Sequence, residues 1–247
     1  GTVVSVSGDE MTVNAAEGNY WQPSTVTNGE LSLSKAFYVD RGNGRWYVAE
    51  TNNDCRMFYS EDEGNTWSPC VDSDGNPIGG TSGNRRWSGV VYTMTMTGQA
   101  TYVATTIEGY IRVSNDGITW EDEFQLLVDG IEFRITDIVT TSDSAKVSYK
   151  YIVVTDAAGA GQTTSSPRIA FTSNPRATNW ARMGGTTFNN CQLNSIDVNP
   201  LSSSGNADVL VVGGASGTNM NLAHSQDGGN TWSAGVFPEP RSFFNVL

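Results

Sequence analysis

Positive charge is what this sequence has least of. Lys and Arg total 14 against 26 Asp and Glu, a net charge of −12 over 247 residues. Lysine occurs only as Lys35, Lys146 and Lys150. A domain-wide acidic field repels phosphate backbones and argues against a nucleic-acid partner. Histidine is reduced to His224, which excludes a multi-histidine metal site and leaves a Ser–His–Asp triad one candidate base. That residue ends a strand beside a turn motif, where a structural role is expected. The cysteines, Cys55, Cys70 and Cys191, are few and odd in number, so they cannot frame a disulfide scaffold and the core must come from hydrophobic packing. No apolar run reaches the roughly 18 residues of a membrane-crossing helix, so membrane insertion is not expected. No basic-then-apolar start marks a signal peptide. The chain opens on Gly1, as a mature product or a piece of something longer would. Helical periodicity is missing from every long stretch.

What fills the chain instead is turn chemistry. Charged residues make up only 16%, and there are 27 glycines. Ser60-Glu61-Asp62-Glu63-Gly64-Asn65-Thr66-Trp67 reads S-x-D-x-G-x-T-W. Ser225-Gln226-Asp227-Gly228-Gly229-Asn230-Thr231-Trp232 matches it at every fixed position. Ser114-Asn115-Asp116-Gly117-Ile118-Thr119-Trp120 is the same pattern with one residue deleted before the glycine. A full match arises by chance at on the order of one position in a million, so three are not accidental. Two worn copies extend the series: Ser173 to Trp180 keeps the Ser and Trp, and Asn14 to Trp21 keeps the Gly and Trp. The closing tryptophans stand at 21, 67, 120, 180 and 232. A period near 50 residues suits four short strands with their turns.

The residue types explain themselves in a tight turn. The Asp carboxylate accepts backbone N–H bonds, and the Ser and Thr hydroxyls add to them. Gly supplies a positive φ without steric cost. The Trp buries a large apolar surface beside the turn. These positions (Ser60, Asp62, Gly64, Thr66, Trp67; Ser114, Asp116, Gly117, Thr119, Trp120; Ser225, Asp227, Gly229, Thr231, Trp232) read as structural staples and not as catalytic residues.

The motif resembles the Asp-box, or BNR repeat, of sialidases and related β-propellers. The resemblance runs through the whole chain by way of its repeat. It implies a turn between the third and fourth strand of each blade, on the side away from the ligand site. Strand-like runs rich in Val, Ile, Tyr and Thr fall where it requires them. They are Ala36–Asp40, Trp46–Glu50, Arg56–Ser60 and Trp67–Val71; Ser88–Met94, Thr101–Thr105, Tyr110–Ser114 and Trp120–Phe124; Arg134–Thr140, Tyr149–Thr155, Arg168–Thr172 and Trp180–Met183; Leu193–Val198, Asp208–Val212, Met220–His224 and Trp232–Val236. Ser242–Leu247 reads as a first strand with no blade after it. Thr2–Ser7, Met11–Asn14 and Tyr20–Ser24 read as strands two to four with no first strand. Joined, they close a ring and remove open sheet edges. The expected fold is therefore all-β: one domain over residues 1–247, a five-bladed β-propeller of four-stranded antiparallel blades, closed by the C-terminal strand plus the three N-terminal strands.

Several constellations offer chemistry. Sialidase catalysis, as the resemblance implies it, needs an arginine triad, a Tyr–Glu nucleophile pair and an Asp acid, with a Phe/Tyr-Arg-Ile-Pro motif before the first box. Phe133-Arg134-Ile135-Thr136 is close in letters, but it follows two boxes and lacks the Pro, so an inner strand is expected there. The eleven arginines do not exclude a triad. Glu121, Asp122 and Glu123 read as a solvated strand end, although a glycosidase would need a facing carboxylate pair. Asp72-Ser73-Asp74-Gly75-Asn76 resembles the start of a calcium loop but has no downstream acidic ligand, so a turn is expected and no metal or cofactor. Cys55 and Cys70 flank the first box; either a cross-strand disulfide or two buried thiols fits them. The polar inserts Asp156–Ser166, Thr81–Arg86 and Leu201–Gly205 are loops of the kind that carry binding surfaces. Three functional readings result. The first is a non-catalytic structural or adhesive module, extracellular or virion-associated, that binds other protein subunits or surface glycans. The others are a sialidase-like glycoside hydrolase and an intracellular assembly factor.

Overall fold

The computed structural model describes residues 2–7, 10–14, 25–26, 33–39, 44–50, 55–79, 85–95, 97–142, 149–156, 168–184, 188, 191–199, 209–215 and 222–234. All the regular elements among them are strands, and none is a helix. A hairpin joins β1 (Thr2–Ser7) to β2 (Glu10–Asn14), and a short β3 (Thr25–Val26) follows. The first antiparallel sheet runs in order through β4 (Leu33–Val39), β5 (Arg45–Glu50), β6 (Met57–Ser60) and β7 (Thr66–Pro69). The second sheet runs through β9 (Trp87–Met94), β10 (Ala100–Thr106), β11 (Tyr110–Ser114) and β13 (Phe124–Gln125), while β8 (Val71–Asp72) and β12 (Thr119–Trp120) pair with each other in parallel. A small hairpin of β14 (Leu127–Val128) and β15 (Ile131–Glu132) leads to the third sheet: β16 (Asp137–Ser142), β17 (Tyr149–Val154), β18 (Ile169–Thr172) and β19 (Asn179–Met183). The fourth is β20 (Gln192–Asn199), β21 (Val209–Ala215), β22 (Leu222–Ser225) and β23 (Ser233–Ala234).

The sheets stack face to face, and strand alternation decides which residue goes to which interface. On β17, Tyr151 and Val153 pack with Val103 and Ile111 of the second sheet. Their neighbours Ile152 and Val154 pack with Leu193, Ile196 and Ala223 of the fourth. This is why the strand is apolar on both faces. Between the first and second sheets, Tyr47, Ala49 and Met57 meet Val90, Ala104 and Trp120. The first strands are neighbours in series: β4 lies by β9, β9 by β16, and β16 by β20.

Most expected strands appear within a residue or two of their expected limits, including those at Thr2–Ser7 and Met11–Asn14. Two corrections stand out. The run Trp120–Phe124 is not one strand. Thr119–Trp120 pairs in parallel with Val71–Asp72, while Phe124–Gln125 pairs with Tyr110–Ile111. Three adjacent acids separate the two pieces, and Glu121 and Glu123 turn to different arginines, Arg176 and Arg85. Residues Phe133 to Thr136 do not belong to the inner strand, which starts at Asp137. Phe133 N bonds to Leu126 O and Ile135 N to Ile107 O, both outside the strands, while Thr136 N bonds to Val154 O at the end of β17; Phe133 and Ile135 are fully buried. The expected strands at Ser242–Leu247 and Tyr20–Ser24, and the worn turn ending at Trp21, lie outside the described residues, and with them the expected ring closure.

Candidate functional site

The repeated turns are built almost wholly from their own atoms. In the first, Ser60 Oγ accepts from Gly64 N at 2.9 Å and donates to Asp62 Oδ1 at 2.8 Å. Asp62 Oδ1 accepts from Thr66 N at 2.8 Å, and Oδ2 accepts from Thr66 Oγ1 at 2.6 Å. The Trp67 indole donates to Gly64 O at 3.0 Å. The turn at Ser225 repeats every one of these bonds: Gly229 N to Ser225 Oγ at 2.8 Å, Thr231 N to Asp227 Oδ1 at 2.8 Å, Thr231 Oγ1 to Asp227 Oδ2 at 2.6 Å, and Trp232 Nε1 to Gly229 O at 3.0 Å. In the shortened copy, Ser114 Oγ still accepts from Gly117 N, and Asp116 Oδ1 takes both Ile118 N and Thr119 N. The worn copy has no Asp, yet Trp180 Nε1 donates to Ala177 O at 2.8 Å, the same three-residue reach.

These bonds set the acidity of the carboxylates. The Thr66 hydroxyl and amide, then the Ser60 hydroxyl, hold Asp62 down to about 2. Burial acts to raise Asp116 and Asp227, but the donors of their turns outweigh it and both lie below the ordinary carboxylate value. A carboxylate so committed to donors is a poor general acid or base at neutral pH.

Each turn is also tied to its neighbour. Three times, the segment leaving one unit runs in parallel beside the Thr/Asn-Trp pair of the next. Thr25 and Val26 lie opposite Thr66 and Trp67, Val71 and Asp72 opposite Thr119 and Trp120, and Leu127 and Val128 opposite Asn179 and Trp180. The repeat was legible in the sequence, whereas this stitch was not. Side chains reinforce it. Tyr47 Oη donates to Gly117 O at 2.9 Å, and burial pushes that phenol well up. Arg45 bonds to Asp116 O and Glu61, with Tyr59 and Tyr102 rings on either side at 5.4 and 5.6 Å.

The other candidates resolve in the same direction. Arg45, Arg85, Arg86, Arg112, Arg134, Arg176 and Arg182 each pair with a carboxylate. Arg85 stacks 3.6 Å from the Tyr110 ring centroid and shares Glu123 with Arg112, so two arginines meet a Tyr and a Glu there. Arg134, of the Phe-Arg-Ile-Thr run, reaches Asp156 at 3.8 Å. In the acidic loop, Asp72 Oδ1 already accepts from Asp74 N at 3.0 Å and Asn76 N at 2.9 Å. Cys55, Cys70 and Cys191 are buried thiols, and burial pushes Cys70 up. His224 sits on β22 opposite Val211 and Ser233, away from any of these groups' bonds.

One polar group escaped the sequence reading because its members stand far apart in the chain. On the first strands of the four sheets, Lys35 Nζ donates to Ser88 O at 2.6 Å, and Ser88 Oγ meets Thr105 Oγ1 at 2.8 Å. Asp137 Oδ2 accepts from Ser195 Oγ at 2.9 Å and Ile196 N at 3.1 Å. Burial raises the Asp137 carboxyl, while the Ile196 amide, the Lys35 charge and the Ser195 hydroxyl act against it.

No protein-family model and no curated protein matches the sequence. Among solved structures, the chain is similar to YCF48 bound to D1 peptide, with 18% identity and a TM-score of 0.46, over 92% of this chain and 60% of that one. It is similar to a GH74 xyloglucanase from Xanthomonas campestris at 14% identity and a TM-score of 0.42, over 90% of this chain and 33% of the other. A GH74 enzyme from Niastella koreensis matches at 14% identity and 0.34, over 77% and 29%. This chain thus spans less than two thirds of each of these proteins, and a likeness at this level assigns neither family nor activity.

Proposed function

We propose that the chain is a five-bladed Asp-box β-propeller serving as a non-catalytic structural or adhesive module, outside the cell or on a virion, that engages other protein subunits or surface glycans. The observation carrying this reading is the fate of its reactive side chains. The repeat-turn carboxylates bind their own turns, and seven of the described arginines pair with carboxylates of the same chain. Groups neutralised in this way serve packing and leave binding to shape and loops.

The blade count draws on the stitch. Thr25 follows Trp21 at the same distance as Val71 follows Trp67, and both then pair with the Thr of the next turn. A unit containing β1 and β2 therefore precedes the first sheet as the first sheet precedes the second. The first sheet also turns Tyr38 and Trp46, half exposed and in ring contact at 4.5 Å, away from the second sheet. A further blade supplies the cover such a face requires.

The test is enzymatic and then binding. Incubation with a fluorogenic sialoside and a glycoside panel at about pH 5 to 7 should give no turnover. Turnover of any one substrate overturns the non-catalytic reading, and cleavage of the sialoside would point to the hydrolase instead.

A further inference from the structure

The first strands of the four sheets touch at one level. Lys35 on β4 bonds to Ser88 O on β9. The next residue, Gly89, comes so close to β16 that a Cβ there would lie 2.5 Å from Ile138 Cγ2 and 3.6 Å from Ile138 N. The residue before Ile138 is Asp137, which accepts from Ser195 and Ile196 on β20. Adjacent residues thus carry contact from the first sheet to the fourth, and the Lys35 charge, after the Ile196 amide, favours the ionised form of Asp137.

We infer that Lys35 and Asp137 form a charge latch that couples the first sheet to the seam between the third and fourth. The inference stands apart from the proposed function. Its mechanism is simple. An ionised Asp137 is a stronger acceptor for the Ser195 hydroxyl and the Ile196 amide than a protonated one. Enclosure of the carboxyl works against ionisation, and the ammonium of Lys35 works for it. Other charged groups on the packed elements are Lys150 on β17 and Asp197 on β20; Arg134 and Asp156 flank the strands and pair with each other. The strand β9 carries no charged side chain. Lys35 is exposed, yet its ammonium serves as the counter-charge of a seam to which, among the described residues, it makes no hydrogen bond.

Lys35→Gln removes the charge and leaves a shorter polar side chain, and Lys35→Arg keeps the charge. Amide hydrogen exchange and thermal unfolding of the full chain near pH 7 separate them. In Lys35→Gln the Ile196 amide should exchange at least about threefold faster, with the unfolding midpoint lower by about 2–6 °C. In Lys35→Arg both should stay near the parent values. Asp137→Asn should also lower the midpoint, and the double variant should fall by clearly less than the two single shifts added together. Unchanged exchange at Ile196 in Lys35→Gln overturns the latch, even if Asp137→Asn fails to fold. Equal behaviour of the Gln and Arg variants, or additive shifts, overturns it as well.

Discussion

Asp62 shows how much one side chain does in these turns. Both of its oxygens accept bonds from Thr66, and Ser60 adds a third donor. Its carboxyl is lowered from the ordinary 3.8 to about 2. A depressed carboxyl contributes stability that is complete above its unfolded value and disappears as pH falls through the folded one. Asp116 and Asp227 are lowered too, so the chain should lose stability in steps as pH drops from about 4 towards 2. Thermal midpoints measured across that window should show an acid limb. The limb should be shallower in Asp62→Asn and Asp227→Asn, whose neutral side chains have no such proton to gain; parallel curves would refute the assignment. Gly117 is a second residue-scale case. Its φ is +73°, and an added Cβ would meet the Tyr47 hydroxyl. Gly117→Ala therefore combines left-handed strain with displacement of the Tyr47–Gly117 bond. It should cost at least about 2 kcal/mol in urea unfolding, against about 1 kcal/mol for Ala at exposed Gly75, where φ is +85° and left-handed strain acts alone because no atom lies within reach. A cost at Gly117 no greater than that at Gly75 would show that the close contact is immaterial.

The element that matters most is the two-residue parallel strand. Val71 N donates to Ile118 O at 3.0 Å, and Leu127 N donates to Thr178 O at 2.8 Å. Each of these bonds crosses from one unit to the next. Val71→Pro removes the donor and should cost about 2–4 kcal/mol, while Pro at exposed Ser73 should cost less. Urea midpoints of the two variants give the comparison, and equal values would argue that β8 adds nothing to the seam. The four-strand pattern of each unit was legible because alternation and turn residues are local signals. The stitch was not legible, because two residues are too short to carry a period. The break at Glu121–Glu123 was missed for a related reason. The acids there pair with Arg85 and Arg176, partners distant in sequence that no local pattern displays. The Phe-Arg-Ile-Thr run likewise has strand-like composition, but Phe133 N and Ile135 N bond to Leu126 O and Ile107 O, and the run meets the β17 ladder at its last residue, where Thr136 N bonds to Val154 O.

At the scale of the whole molecule, charge constrains the partner. With a net charge of −12, the chain should repel polyanions. Retention on a heparin matrix at physiological salt should be negligible, and sulfated glycans should bind more weakly than neutral ones on an array. Strong heparin retention would demand a basic patch, whereas seven of the described arginines are paired with carboxylates. Stacked sheets sharing strands between two cores also imply cooperative unfolding. Ile152 belongs to the third–fourth core and Tyr151 to the second–third, although they are neighbours in sequence.

The repeat turns were set by the sequence itself, because every bond in them is short-range. Ser60 to Gly64, Asp62 to Thr66 and Ser114 to Thr119 span four, four and five residues, so residue type alone decides them. The strand content of the described units and the bonding of the Asp residues within their turns follow from that local chemistry. The relations between units belong to the tertiary structure. Lys35 finds Ser88 across 53 residues, Asp137 finds Ser195 across 58, and Tyr47 finds Gly117 across 70. A side chain's partner at that separation depends on how sheets twist and stack, and no spacing in the chain encodes it. The motif identifies the repeat, but the partners that its Thr, Trp and Gly residues meet in the next unit are shown only by the folded chain.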